Sequence, residues 1–342
     1  MIAFKELPEL ALYVHLPWCV HKCPYCDFNS HERADALPET EYVSALLTDL
    51  EMSLPQVWGR PISSIFIGGG TPSLFTPRAI DTLLSGVRAR VKVLPMAEIT
   101  LEANPGTFEV DRFQGFRDAG VTRVSIGAQS FNAHHLQLLG RIHDADQARA
   151  AVAAAVERFD RVNVDLMFGL PGQDMDALGR DLDTALALGT THVSCYQLTM
   201  EPNTAFARRP PSGLPDDDQL ADMQSVVIER LAARGFARYE ISAYAKPGHA
   251  CRHNLNYWTF GDYVGIGAGA HGKISMPDRI VRTTRLRHPE QYMASIARGE
   301  GASQAEVGVE ALAFEFMMNG LRLTDGVLVG RWRQTTGMEL QA

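Results

Sequence analysis

The sequence lacks the long apolar run of a membrane-spanning helix, since no window approaches about 18 consecutive apolar residues. It also lacks an excess of positive charge, and the formal net charge of -8 argues against a nucleic-acid partner. Residues 1–16 show neither a secretory apolar core nor a cleavage site, so we expect a cytoplasmic protein. No internal repeat or low-complexity tract occurs, and 342 residues suffice for one large domain with a smaller appendage.

Cysteine is scarce, and its placement is uneven. Three of the five cysteines lie within eight positions, at Cys19, Cys23 and Cys26, and the other two are Cys195 and Cys251. In a reducing cytoplasm, an odd number of cysteines with three clustered argues for metal or cluster chemistry rather than for a disulfide framework.

Two kinds of site fit three clustered thiols. A tetrahedral zinc site needs a fourth ligand, and three histidines lie nearby, at His15, His21 and His31. Three cysteines that hold a four-iron cluster instead leave one iron open to an outside ligand. We favour the cluster, because histidines of this kind are often ordinary polar surface residues.

Short apolar or β-branched runs alternate with amphipathic stretches over the first two hundred residues. The runs predict strands at 11–16, 63–70, 97–103, 121–127, 161–169 and 191–198. The amphipathic stretches predict helices at 39–54, 77–92, 109–119, 144–158 and 174–188. Each helix is long enough for a right-handed crossover, so the sequence predicts an α/β fold with a parallel, barrel-like sheet. A doubly wound open sheet is the alternative.

Unusual residues follow the ends of all six predicted strands. In strand order they are the cysteine cluster, "GGGTP", "EANPG", "GAQSF", "DLMFGLPGQ" and "YQLTMEPNT". Because the carboxyl ends of parallel strands meet at one rim, we expect these segments to form one active site.

The pattern changes after about residue 205, and we predict three regions. Residues 1–205 form the barrel with the cofactor site, and 206–285 form an auxiliary region that contains "HNLNYW". Residues 286–342 form a small, mostly helical segment, which we expect to be truncated.

Two motifs resemble the radical-SAM superfamily. The CxxxCxxC spacing with Tyr25 before the last cysteine resembles its signature, and "GGGTP" is similar to its glycine motif. The resemblance implies a partial (β/α)6 TIM-like barrel with a smaller C-terminal auxiliary region. It further implies a [4Fe-4S] cluster held by Cys19, Cys23 and Cys26, and S-adenosyl-L-methionine (SAM) bound at the open iron.

More motifs narrow the resemblance to the coproporphyrinogen oxidase-like branch, notably "LYVHLPWC", "LEANPGT", "SIGAQSF", "LGRIH" and "DLMFGLPGQ". That branch contains the oxygen-independent coproporphyrinogen III dehydrogenases and the HemW heme chaperones. Phe28 stands where the dehydrogenases carry a further cysteine, and the first strand starts without their extra N-terminal segment. "HNLNYW" resembles the HNxxYW motif of the chaperones. These features favour the chaperone family, with the dehydrogenase, which decarboxylates two propionates, as the alternative.

The resemblance implies cofactor contacts residue by residue, at Tyr13, Tyr25, Gly69, Gly70, Thr71, Glu102, Gln129, Arg141 and Asp165. Arginine suits a bidentate clamp on the carboxylate of SAM. The alternative for Arg141 is a surface ion pair with Asp144 or Asp146. The alternative for Asp165 is a cap on the following helix.

The heme ligand implied by the resemblance is His253, with Cys251 and His271 as rivals. Tyr257 and Trp258 are expected to pack on the macrocycle, whereas the alternative is a purely structural turn. The expected partners are heme and apo-hemoproteins such as respiratory enzymes. A homodimer and a peripheral membrane association are both compatible with this function.

Overall fold

One extended sheet with helices packed against it organises the chain, in a computed structural model that describes residues 2–33, 35–106 and 110–339. In those ranges the strands are β1 (Leu10–Leu16), β2 (Trp18–Cys19), β3 (His31–Glu32), β4 (Ile62–Gly69), β5 (Val93–Ala103), β6 (Arg123–Gln129), β7 (Arg161–Phe168), β8 (His192–Gln197), β9 (Ala237–Glu240), β10 (Ala243–Ala245), β11 (Asp262–Ile266), β12 (His271–Met276), β13 (Arg279–Thr284) and β14 (Ser303–Glu306). The helices of the same ranges are α1 (Glu39–Val57), α2 (Pro77–Arg90), α3 (Phe113–Asp118), α4 (Ala133–Leu138), α5 (Ala145–Arg158), α6 (Met175–Ala187), α7 (Ala205–Arg208), α8 (Asp217–Ala232), α9 (Arg252–Trp258), α10 (Pro289–Ala297), α11 (Val309–Gly320) and α12 (Val329–Thr336).

The centre of the sheet is parallel, in the order β11-β1-β4-β5-β6-β7-β8. Antiparallel strands extend it on both sides, with β12, β13 and β14 beyond β11 and β10 and β9 beyond β8. All six predicted parallel strands are present, so the prediction of an α/β fold with a parallel sheet is confirmed. The seventh parallel strand, β11, comes from a glycine-rich segment that gave no strand signal in the sequence.

Side-chain alternation gives the sheet two unlike faces. On β1, Leu12 and Val14 pack into the hydrophobic core beneath α1 and α2, whereas Tyr13 points to the opposite face. We call this opposite face the inner face. The strand register places Phe66 and Arg123 in the same inner-face row as Tyr13. The next row includes polar residues, so the inner face is suited to ligand binding rather than to a dry core.

Side-chain caps fix where several crossover helices begin. Asp144 and Gln147 form a capping box at α5, and Asp216 and Gln219 form another at α8. Asp174 caps α6 by accepting a hydrogen bond from the backbone of the first turn. Each cap contributes about 1 kcal/mol. Fixed helix starts hold the strand-to-helix loops, which carry the functional residues, at one edge of the sheet.

A buried ion-pair group fastens β11 to its surroundings. Asp262 is fully buried, and its carboxylate lies 2.9 Å from Lys273 Nζ and 2.8 Å from Arg60 Nη2. The backbone N–H of Ser275 donates a third bond at 2.9 Å. Because every partner is itself hydrogen-bonded, this group tolerates burial that an isolated charge would not.

The sheet continues across the predicted boundary at residue 205. Residues 206–285 contribute β9 to β13, and 286–342 contribute β14 and helices α10 to α12. The three regions share one sheet, and their boundaries stay a prediction. None of the helices in the described ranges has the length and apolar character needed to cross a membrane.

Candidate functional site

The three clustered cysteines follow β1 and line one cavity, which we call the cysteine cavity. Their thiols are free, with Cys19 buried and Cys23 and Cys26 half-buried. Thr71 Oγ1 donates a hydrogen bond to Cys19 Sγ at 3.4 Å, and Arg141 Nη1 donates to Cys23 Sγ at 3.4 Å. Hydrogen bonds to sulfur tune the potential of an iron–sulfur cluster, so these contacts fit such a site.

Two of the three histidines that could complete a zinc site already have backbone partners. In the described parts of the chain, no three His, Cys, Asp or Glu side chains converge on one metal position. A zinc ion needs all its ligands about 2.0–2.3 Å from one point, whereas a cluster offers each cysteine its own iron. His15 Nε2 lies 2.9 Å from the Asn29 carbonyl, and His31 Nε2 lies 3.2 Å from the Arg287 carbonyl, so both rings already have partners.

The glycine segment ends β4 in a conformation that only glycine accepts. Gly69 has a φ of +117°, and a Cβ there would lie 2.7 Å from the ring of His15. A Cβ on Gly70 would lie 2.5 Å from the carbonyl oxygen of Trp18. The backbone can therefore approach the cysteine loop closely, and both glycines line the cysteine cavity together with Thr71.

Glu102 places a carboxylate on the cavity wall at the end of β5. It accepts a hydrogen bond from the Gly69 backbone N–H at 3.1 Å. Burial, and after it the negative charge of Asp165, raises the pKa of Glu102 to about 7. A cationic ligand group beside this carboxylate would favour its ionised form, so Glu102 suits recognition of an amino group.

Gln129 ends β6 with a φ of +67°, which is uncommon for a residue other than glycine. The pairing of β6 with β7 shifts register just before this position. Strained backbone at a cavity wall is a feature of functional sites, because the surrounding structure must stabilise it. Here it places the Gln129 amide in the lining of the cysteine cavity.

Arg141 reaches into the cysteine cavity from the segment after α4. Besides the Cys23 sulfur, its guanidinium donates to Asn104 Oδ1 at 2.9 Å and to the Gly127 carbonyl at 2.8 Å. The alternative of a surface ion pair is wrong, since Asp146 pairs with Arg149 instead. Arg141 Nε is buried without a hydrogen-bond partner in the described ranges, so the guanidinium keeps donor capacity.

Asp165 lies on the inner face of β7 and lines the same cavity. It accepts hydrogen bonds from Ser125 Oγ at 3.2 Å and Asn163 Nδ2 at 2.7 Å. Burial raises its pKa above the ordinary value. The alternative of a helix cap is wrong, because Asp174 caps the helix that follows.

The two tyrosines differ in position. Tyr25 lines the cysteine cavity, and its ring lies 6.3 Å from that of Phe206. Tyr13 lies on the inner face, where its hydroxyl is 2.9 Å from His15 Nδ1. Burial, and after it the charge of Glu102, raises the pKa of Tyr13. The structure therefore places Tyr25 in the cavity wall, whereas Tyr13 lies outside that wall and is hydrogen-bonded to His15.

His253 lies outside the cysteine cavity. "HNLNYW" forms helix α9, not a turn, and His253 is 1% exposed, with Nδ1 3.1 Å from Ser64 Oγ. The rings of Tyr257, Phe66 and Tyr13 surround it at centroid distances of 4.7, 5.2 and 6.4 Å. Burial, and after it a nearby arginine, lowers the pKa of His253 to about 3. Its Nε2 has no partner among the described residues, so the ring has the donor chemistry of an axial ligand.

The two rival ligands also have contrasting environments. Cys251 is fully buried, and burial raises the pKa of its thiol to about 11. His271 is exposed at the start of β12, with Nδ1 3.4 Å from Thr284 Oγ1. Coordination by His253 or Cys251 therefore requires movement of α9, whereas His271 is already accessible.

A second, larger cavity adjoins the first, with a volume of about 700 Å³ against about 130 Å³ for the cysteine cavity. The two cavities share Tyr25, Cys26, Phe28, Glu102, Ser125, Gln129 and Asp165. A molecule in the second cavity therefore borders the residues that are candidates for cofactor binding. This volume lies within the range of ordinary small-molecule and cofactor sites.

Three further residues of the site were not singled out from the sequence. Asn104 donates to Thr71 Oγ1 at 3.0 Å and accepts from Arg141, so it links two groups that touch the cysteines. Ser30 Oγ lies 4.0 Å from Cys26 Sγ. Arg123 lines the second cavity. The signal for Asn104 was its place two residues after Glu102 at a strand end, and an arginine inside a buried strand is itself unusual.

Known proteins resemble this chain over almost its whole length. A family model of the radical SAM superfamily matches residues 13–185, and one of the HemN C-terminal domain matches 309–342. The heme chaperone HemW of Escherichia coli (strain K12) is 52% identical over 322 residues, which are 94% of this chain and 84% of that protein. The heme chaperone HemW of Mycobacterium tuberculosis (strain ATCC 25618 / H37Rv) is 39% identical over 343 residues, covering 95% and 87%.

Among solved structures, coproporphyrinogen III oxidase (HemN) from Escherichia coli, described as a radical SAM enzyme, superposes with a TM-score of 0.82. It is 22% identical, and the match covers 97% of this chain and 80% of that one, so this likeness shows the fold alone. The parallel sheet and the cysteine cavity at its rim thus define a radical SAM fold, the partial barrel with a C-terminal region that the sequence predicted. Within that superfamily, the chain belongs to the HemW family.

Proposed function

We propose that this chain is a heme chaperone that binds heme and transfers it to apo-hemoproteins such as respiratory enzymes, using a [4Fe-4S] cluster and SAM. The main support is the identity of 52% to the Escherichia coli protein named heme chaperone HemW, over 94% of the chain. The cavity that joins three free cysteines to glycine, glutamate, glutamine and arginine residues supports the cofactor part of the proposal.

The residues proposed to hold the cluster are Cys19, Cys23 and Cys26. When bound, the cluster and SAM together supply one-electron chemistry that protein side chains cannot. The chain's own residues hold this site in shape. Thr71 and Arg141 orient two of the sulfurs through hydrogen bonds.

The other cavity residues are proposed to hold SAM. Glu102 provides the carboxylate for its amino group, and the free donor capacity of Arg141 suits its carboxylate. Gly69 and Gly70 provide close backbone, and Gln129 and Asp165 complete the wall. Tyr13 is proposed to contact SAM from beneath the cavity, where its hydroxyl is hydrogen-bonded to His15.

For heme, we propose the second cavity as the binding region and His253 as the iron ligand. The neutral imidazole with an unpartnered Nε2 supports His253, although α9 must shift to present it. His271 is the accessible rival, and Cys251 is the buried one.

The test is an anaerobic reconstitution with iron and sulfide, followed by heme titration of wild type, His253→Ala and His271→Ala. The same preparations are then assayed for transfer of heme to an apo-hemoprotein and for coproporphyrinogen decarboxylation with SAM and a reductant. Heme binding with transfer and without decarboxylation is the expected result. Decarboxylation without stable heme binding would reject the chaperone and favour the dehydrogenase.

The location and assembly of the protein belong to the same proposal. We infer a cytoplasmic protein that associates with membranes peripherally when its recipients are membrane enzymes, and that forms a homodimer. Sedimentation of the reconstituted protein, alone and with liposomes, measures both properties. A monomer that never sediments with liposomes would contradict them.

A further inference from the structure

A guanidinium without an ion-pair partner lines the second cavity. Arg123 lies on the inner face of β6 and is 2% exposed. Its Nε has no hydrogen-bond partner, and its guanidinium forms no ion pair with any described residue. A buried charge that is neither paired nor hydrogen-bonded is costly, so a group of this kind is expected to recruit an anion.

Two carboxylates that attract this arginine are engaged by other residues. Glu98 forms an ion pair with Arg161 at 3.0 Å. Asp165 accepts from Asn163 Nδ2 at 2.7 Å. Both carboxylates act on Arg123 only through longer-range attraction. These groups favour the charged form of Arg123, but no described residue forms a direct ion pair with it, so its donors can meet a ligand in the cavity.

The rest of the wall is amphipathic. Apolar side chains stand beside amides and hydroxyls, and the lining includes Phe66, Met167, Leu198, Ile241, Asn254 and Ser242. A second arginine, Arg322, also lines the cavity, but it is already paired with Glu240 at 3.0 Å and stacked over Trp258 at 4.2 Å. Such a wall suits a large, mostly apolar molecule that carries carboxylates.

We propose that Arg123 binds a propionate carboxylate of a tetrapyrrole in the second cavity. The inference rests on the proposed function and deepens it, because it names the ligand group and the residue that recognises it. Heme and iron-free porphyrins share this carboxylate chemistry. A guanidinium can donate two parallel hydrogen bonds to a carboxylate. An uncharged edge of a ligand offers no comparable partner.

The experiment compares reconstituted wild type, Arg123→Gln and a matched control, Arg180→Gln, which removes an exposed positive charge on α6. Each is titrated by absorbance with heme, with heme dimethyl ester, whose propionates are blocked, and with iron-free coproporphyrin III. We expect Arg123→Gln to bind heme and coproporphyrin about 10- to 100-fold more weakly than wild type. Binding of the dimethyl ester should change little, and the control should match wild type throughout.

A merely structural role for Arg123 predicts a different result. In that case, Arg123→Gln would lose affinity for heme and for its ester equally. Our inference predicts that only the ligands with free carboxylates lose affinity, even if the ligand-free variant unfolds at a somewhat lower temperature because the attraction of Glu98 and Asp165 for the Arg123 charge is lost. Arg123→Met, which keeps the length of the side chain without its donors, should behave in the same way.

The outcomes separate this inference from the proposed function. Equal heme affinity in wild type and Arg123→Gln would overturn the inference and would leave the proposed chaperone function unaffected. Coproporphyrin binding that depends on Arg123, without heme binding by wild type, would support the carboxylate site and reject the chaperone. Binding of neither molecule by wild type would overturn both.

Discussion

Replacement of Glu102 by glutamine should stabilise the cofactor-free protein, and more strongly as the pH rises. The ordinary pKa of a glutamate, 4.5, applies to Glu102 in the unfolded chain. In the folded protein burial, and after it the charge of Asp165, raises this pKa to about 7. Between those values the folded protein holds a proton that the unfolded chain releases. Its stability therefore falls as the pH rises through this window. Glutamine cannot ionise, and its amide oxygen can still accept from the Gly69 N–H.

The difference between the two pKa values corresponds to about 3 kcal/mol, at about 1.4 kcal/mol per pH unit. This is an upper figure, because one side of the carboxylate faces the open cavity. We expect Glu102→Gln and wild type to be equally stable near pH 4. Above pH 7 the variant should be more stable by up to about 3 kcal/mol.

The assay is urea unfolding of cluster-free protein in reductant at five pH values from 4 to 8. Glu229→Gln, an exposed change on α8, is the matched control and should show no pH-dependent difference from wild type. A Glu102→Gln difference that stays constant with pH, or shrinks as the pH rises, would refute the assignment of a raised pKa to this carboxyl.

Three further predictions concern groups described above. Asp262→Asn leaves Lys273 buried without its ion pair, so urea unfolding should show a loss of about 3–5 kcal/mol, partly restored by adding Lys273→Met. Gln129→Gly relieves a φ of +67° and should add about 1 kcal/mol of thermal stability, while equilibrium dialysis of the reconstituted protein should show weaker SAM retention. Thr71→Val removes the hydrogen bond to Cys19 Sγ, and redox titration should give a more negative cluster potential, whereas an unchanged potential would contradict that contact.

The central strands and the cysteine loop could be predicted because their signals are local. β4 was expected at 63–70 and occurs at Ile62–Gly69, and α5 was expected at 144–158 and occurs at Ala145–Arg158. Such runs depend on side-chain periodicity within a few residues. The convergence of strand ends on one rim then follows from the parallel arrangement.

Long-range packing could not be predicted in the same way. The strand Asp262–Ile266 lies in a glycine-rich stretch and is defined by pairing with β1, which no local pattern encodes. "HNLNYW" was expected to supply the heme ligand His253 or to form a structural turn, and no local pattern indicated that it is a helix whose histidine packs among three aromatic rings. Arg123 was the overlooked signal, since a charged residue inside a parallel strand needs a functional or ionic partner.

The pairing of β1 with β11 has a consequence for synthesis on the ribosome. Leu10 pairs with Asp262, which the ribosome adds 252 residues later. At a synthesis rate of about 5–20 residues per second, one edge of β1 stays unpaired for roughly 13–50 seconds before β11 is made. The cysteine loop directly follows this half-paired strand. The nascent chain therefore exposes three free thiols and an open edge of β1 together until residues 262–266 have been added.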